Sequence, residues 1–141
     1  MKNFEIAKQL LAQNNYTCVL CCDDMIYTSE KRGVCPLVEW LEDDSRNFSG
    51  ASAADKVVGR GAAFLYVLLG VREVYANVIS HAAIEVLRGH DVTVEYSIAV
   101  ERIINRKGDG ICPFEETVLC ITDAKEAYYA IKQKMCDMGI A

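Results

Sequence analysis

Residues 51–70 read ASAADKVVGRGAAFLYVLLG, and no other stretch narrows the fold as much. It opens with small residues and Asp55-Lys56. It then runs through Val57, Val58, Ala62, Phe64, Leu65, Leu68 and Leu69. Such wide apolar coverage means burial on most sides. The spacing predicts a buried central helix over 51–69, with a polar N-terminal end facing a pocket. Ser52 stands as its N-cap, and Asp55 three residues on complements the positive helix end. Gly59 and Gly61 fall inside this helix, each costing about 1 kcal/mol relative to Ala. Gly59, Ala62 and Ala63 would give a smooth face that presses closely on a sheet. Gly70 stops the helix. The apolar run is shorter than the roughly 20 residues of a membrane span, and Arg60 interrupts it. The G-x-G lacks the third glycine of a dinucleotide loop, and a helix reading leaves no strand before it.

With 141 residues and 52% hydrophobic composition, one compact domain over 1–141 is expected. A chain of this length buries about two-thirds of its unfolded surface, enough for a core without staples. Fifteen basic and twenty acidic residues give a net charge of −5. These charges are dispersed without a basic block, which argues against nucleic-acid binding. The N-terminus MKNFEIAKQLLAQNN carries charges through its apolar positions and is no signal peptide. Seven cysteines, an odd number, then read as reduced thiols in a cytoplasmic protein.

Phe4, Ile6, Ala7, Leu10 and Leu11 recur at helical spacing, so 3–13 reads as an amphipathic helix. Residues 16–22 (YTCVLCC) and 25–29 read as strands joined at Asp23-Asp24 in a hairpin. Pro36 suits the first position of a helix to about residue 43. Residues 71–79 form a third strand. Ser80 caps a helix through Leu87, ended by Gly89. Residues 92–96 form a fourth strand, 98–104 are either helix or strand continuation, and 105–111 form a glycine-bearing loop. Pro113 starts a short helix, and Thr122 or Asp123 caps the last one, 124–138. A hairpin followed by crossovers gives antiparallel and parallel pairs together. The expected architecture is an α/β sandwich with a mixed sheet.

Gly33-Val-Cys35-Pro36-Leu-Val-Glu39 echoes Gly110-Ile-Cys112-Pro113-Phe-Glu-Glu116. A shared way of starting a helix explains the echo. A duplicated unit would extend over 20 or more residues, on the order of the shortest repeats.

The blocks ADKVVGRGAA (54–63), VYANVIS (74–80) and NRKGDGICPFE (105–115) resemble, in order, those of a small prokaryotic family, DUF1893. The resemblance covers nearly the whole chain. It implies a cytidine-deaminase-like fold, a three-layer α/β/α sandwich with a mixed sheet, adapted to another purpose. Zinc deaminases carry a His or Cys with a Glu two residues on at one helix start, and Pro-Cys-x-x-Cys at the next crossover helix. The matching starts are read here as Ala54-Asp55-Lys56-Val57 and Ile79-Ser80-His81-Ala82, and neither carries the motif. Cys35-Pro36 and Cys112-Pro113 have the proline on the wrong side. The expectation is therefore no metal and no cofactor.

Asp55 and Lys56 are the first catalytic candidates: a carboxylate and an ammonium at a pocket can bind a polar ligand or move a proton. An acid complementing the helix end beside a solvated lysine is the alternative. Cys112 is the third candidate, because a helix start lowers a thiol pKa. Its alternative is a buried apolar thiol, and a base would have to come from His81 or His90. Ser80, Asn105, Arg106 and Glu115 are the ligand-binding candidates: Ser80 beside free backbone N–H groups, the others around a loop able to wrap an anion. His81 and Glu85 share a helix face but make a poor metal site, and solvent-side pairing describes them better. Cys18 and Cys22 face one way from their strand and Cys21 the other, as core thiols.

The expected function is binding of, or catalysis on, a small polar metabolite, nucleotide-like in character. The alternative is a non-catalytic regulatory module that keeps the pocket. No nucleic-acid or membrane partner is expected, and the apolar helix content admits a homodimer.

Overall fold

The computed structural model describes residues 2–43, 45, 47–104, 108 and 110–140. Its elements in chain order are α1 (Asn3–Gln13), β1 (Cys18–Cys22), β2 (Met25–Ser29), α2 (Cys35–Glu42), β3 (Ser52–Val58), α3 (Arg60–Leu69), β4 (Glu73–Ser80), α4 (His81–Gly89), β5 (Thr93–Val100), α5 (Pro113–Thr117) and α6 (Ala124–Asp137). The five strands form one sheet in the order β2-β1-β3-β4-β5. β1 pairs antiparallel with both β2 and β3, while β3, β4 and β5 run parallel. The mixed sheet is as the sequence predicts.

The predicted helix over 51–69 is two elements. Ser52–Val58 is the central strand, and the helix begins only at Arg60. Ala53, Ala54, Asp55 and Lys56 suit a helix by propensity, but tertiary packing overrides it. The strand lies between β1 and β4 with Ala53 and Ala54 fully buried on opposite faces. A strand covered on both faces loses its alternating signature. Ser52 is accordingly no N-cap; its hydroxyl donates to Glu73 of β4. Gly70 does stop α3, in the left-handed conformation at φ 80°.

α1 covers one face of the sheet, packing Ala7 and Leu11 on Val19, Cys21 and Ala54. The other helices build the larger core on the opposite face, with Leu20, Ala53, Val74 and Ile79 beneath α3 and α4. This division makes three unequal layers. Cys18 and Cys22 face the larger core and Cys21 the smaller one, as the two-residue period requires. Asp23, at φ 53°, turns the predicted hairpin. β5 extends to Val100, so 98–104 begins as strand. Ser80 and Asp123 cap α4 and α6 by accepting from Ala83 N and Glu126 N. Among the described residues no helix is long and apolar enough to cross a membrane.

Candidate functional site

A cavity of about 1370 Å³ opens beside the C-terminal end of β3. Its walls come from α2, the first turn of α3, α5 and the end of α6. Open α/β sheets form their ligand crevices outside the carboxyl ends of the strands. The strand-to-helix junction at Gly59 places this cleft. β3 delivers Asp55 to the wall just before the chain turns into α3.

Asp55 is only 6% exposed. Its Oδ2 accepts a 2.7 Å hydrogen bond from the Tyr66 hydroxyl, and its Oδ1 accepts from Val57 N at 3.3 Å. The Tyr66 oxygen lies 3.0 Å from Cys18 Sγ. Cys18 is the residue directly across the β1–β3 pair from Asp55. Three elements therefore bring an acid, a phenol and a thiol into one buried chain. Burial lifts the Asp55 carboxyl to about 7, against the opposing pull of the Tyr66 and backbone hydrogen bonds. Burial, then the neighbouring Asp55 charge, pushes Tyr66 and Cys18 well above their ordinary values. A perturbed acid in a cleft is a functional-site candidate.

A second buried carboxylate, Glu115, is 2% exposed. It accepts from Arg60 N, the first helical N–H of α3, at 3.4 Å, and from Ile103 N. The Arg60 side chain donates to the Val118 and Ile121 carbonyls at 3.0 and 2.6 Å. These bonds strap α5 to the start of α3. The two glycines of G-R-G make the fit: a Cβ at Gly61 would stand 2.8 Å from Phe114 O, and one at Gly59 3.2 Å from Ile103. Close approach of α5, rather than of the sheet, explains the glycines. The motif does follow a strand after all, but both glycines are covered by protein and the third is missing.

Two ion pairs flank the cleft. Lys31 pairs with Glu39 of α2, and Lys132 of α6 with Glu42 at 2.6 Å. Tyr128 also donates to Glu42 at 3.0 Å. All are exposed enough to water to contribute little stability.

The structure brings Asp55, Lys56, Cys112 and Glu115 to this one cavity. Lys56 is exposed, its backbone N–H donating to Thr17 O. Cys112 is half-buried as the residue preceding α5, tied by its N–H to Ile103 O at 2.8 Å. Ser80 is not brought to the cavity; it is fully buried and its hydroxyl is used as the α4 cap. Asn105 and Arg106 lie outside the described residues. His81 and His90 are exposed and do not line the cavity. His90 instead bonds Val86 O. Cys35, the other half of the Cys-Pro echo, lines the cavity too, and burial raises its thiol pKa. Sequence reasoning missed Tyr66 and Cys18. The strand–glycine–helix junction that folds Tyr66 back onto Asp55 was the available signal.

Among the described residues no three His, Cys, Asp or Glu side chains converge as a metal site. The first turn of α3, Arg60-Gly61-Ala62, offers no ligand of the zinc-deaminase kind. The donor set does not fit that metal.

The fold is similar to the crystal structure of a DUF1893 family protein, TM1506, from Thermotoga maritima. The TM-score is 0.85 at 24% identity, covering 95% of this chain and 91% of that one. Comparison with curated proteins finds no match. Residues 6–135 match the family described as TM1506: Domain of unknown function (DUF1893). The chain belongs to the DUF1893 family.

Proposed function

We propose that the cleft beside β3 binds a small polar metabolite, nucleotide-like in character, on a cytidine-deaminase-like scaffold that dispenses with zinc. The observation that carries this reading is the Asp55 carboxyl, buried on the cleft wall and lifted to about 7. A group near neutrality takes or gives a proton at working pH, which is what a general acid–base catalyst requires. It equally serves as a hydrogen-bonding partner in a site without turnover. Cys112 and Lys56 line the same cavity and supply a nucleophile and a cation within it.

Enzyme and binding module part on one comparison. Catalysis requires that Asp55→Asn or Cys112→Ser abolish turnover while ligand is still held. The module requires a ligand without product, whichever residue is changed. Native mass spectrometry of the protein purified from cells is the first experiment. It should reveal a non-covalent organic mass that Asp55→Asn diminishes, and the same spectrum reads the proposed homodimer. A ligand retained in full by Asp55→Asn contradicts the assignment of this cleft.

A further inference from the structure

We infer that the cleft selects a small organic cation, an ammonium or amidinium group on an apolar body, whose charge pairs with the Asp55 carboxylate. This rests on reading the cleft as a ligand site and adds the chemical class of the ligand.

Asp55 is buried among neutral partners: the Tyr66 hydroxyl, the Val57 and Lys56 backbone N–H groups and the Cys18 thiol. No ion pair among the described residues includes it. The cations around the cleft are engaged elsewhere or solvated. Lys31 holds Glu39, Lys132 holds Glu42, and Arg60 holds the Val118 and Ile121 carbonyls. Lys56 and Arg32 also line the cleft, but both are exposed, so their charges stay in water. Glu115 is used structurally, its two oxygens accepting from Arg60 N and Ile103 N across the α3–α5 contact. Asp55 is thus a buried acid on this wall without a counter-ion among the described residues.

An unpaired carboxylate out of water is costly, and the group responds by holding its proton. A cation entering the cleft reverses that balance. The carboxyl loses its proton to solvent, the carboxylate pairs with the cation, and the low-dielectric surroundings strengthen the attraction. One proton leaves for each cation bound. A neutral ligand of the same shape gains only an ordinary hydrogen bond. The remaining wall is apolar where it carries Val34, Val38, Ile103, Phe114 and Met135, which suits a flat or aliphatic body behind the charged head.

The other titrating groups around Asp55 are placed so that their influence can be separated. β1 presents Cys18 and α3 presents Tyr66, both pushed far above neutrality. β4 presents Ala76, which does not titrate. Across the cleft stand Cys35 and Glu39 of α2, Glu42 with Lys132, Lys31 with Arg32, and Cys112 with Glu115.

Benzamidinium and its uncharged isostere benzamide provide the test, titrated into the full chain between pH 5.5 and 8.5. Binding is followed by amide NMR at Val57 and Ile103. Benzamidinium should shift both amides and bind at least tenfold tighter than benzamide at pH 8. Its affinity should rise close to tenfold per pH unit below 7 and level off above. Calorimetry in buffers of different ionisation heat should find up to one proton released. Asp55→Asn should remove both the pH dependence and the preference for the cation. The wild-type comparison stands even where that variant folds poorly. Equal binding of the two probes, or pH-independent binding of benzamidinium, overturns the cation assignment and leaves the ligand site intact. If neither probe nor inorganic phosphate moves any cleft amide, the ligand-site reading falls with it.

Discussion

The Tyr66 hydroxyl donates a 2.7 Å hydrogen bond to Asp55 Oδ2, joining the middle of α3 to the strand that precedes it. Both residues are buried, and Cys18 from the neighbouring strand completes the chain at 3.0 Å. This link ties α3 back to β3. It also pulls the Asp55 pKa down against the larger upward push of burial.

Removing the phenol tests the link. Tyr66→Phe keeps the ring in the core but leaves Asp55 and Cys18 without their shared partner. An unsatisfied buried polar group costs about 1–3 kcal/mol. Chemical denaturation should report a loss of that size. The Tyr66 bond pulls the Asp55 pKa down. Its removal should therefore move the Asp55 titration upward, and a downward shift would contradict the role assigned to the bond.

Stability should depend on pH through Asp55 in a sense opposite to that of a salt-bridged aspartate. Its ordinary value is 3.8 and its folded value about 7. Below the ordinary value both folded and unfolded chains hold the proton, so Asp55 contributes no slope. Between the two values the folded chain holds the proton and the unfolded chain does not. Stability from this group then falls as pH rises, by roughly 1.4 kcal/mol per pH unit. Above the folded value the loss is complete. Wild type minus Asp55→Asn, measured by urea unfolding at intervals from pH 4 to 8, should show this decline and flatten above 7.

Much of this architecture was legible in the chain. The hairpin, the Ser80 and Asp123 caps, the Gly70 stop and the Pro36 and Pro113 helix starts each rest on local chemistry. Local chemistry is what a sequence records directly. The central strand was not legible, because Ala53-Ala54-Asp55-Lys56 has the composition of a helix. Only its position between β1 and β4 makes it a strand. That error carried the site with it. A helix from Ser52 puts Asp55 in a first turn, where an acid is unremarkable. A strand puts it in the core, where an acid is costly. Cys112, Glu115 and Asp55 were each singled out, but their convergence depends on α5 seating against α3, a contact more than fifty residues apart in sequence.

That seating makes Gly61 sensitive. A methyl there would meet Phe114 O at 2.8 Å, a backbone atom that cannot turn aside. Overpacking of this kind costs about 1–3 kcal/mol. It should outweigh the helix-propensity gain of about 1 kcal/mol from replacing Gly with Ala. Gly61→Ala should lower the melting temperature and loosen α5 in hydrogen exchange. Gly89, with open space around it, is the control, and Gly89→Ala should be neutral or slightly stabilising.

Glu115→Gln should loosen the same strap without adding bulk. The carboxylate accepts from Arg60 N and Ile103 N. An amide offers one accepting oxygen and turns a donor toward the other N–H. A loss of about 1–3 kcal/mol follows from leaving that N–H unsatisfied. Hydrogen exchange at Ile103 should quicken, while the Asp55 titration stays where it was.

The protonation state of Asp55 is read directly from its carboxyl ¹³C shift as pH is varied in the free protein. The expected result is a single transition near 7, moving downward when a cation occupies the cleft. A transition near the ordinary 3.8 would mean an aspartate that is ionised and solvated at neutral pH. That result would contradict both the buried acid and the function proposed for it.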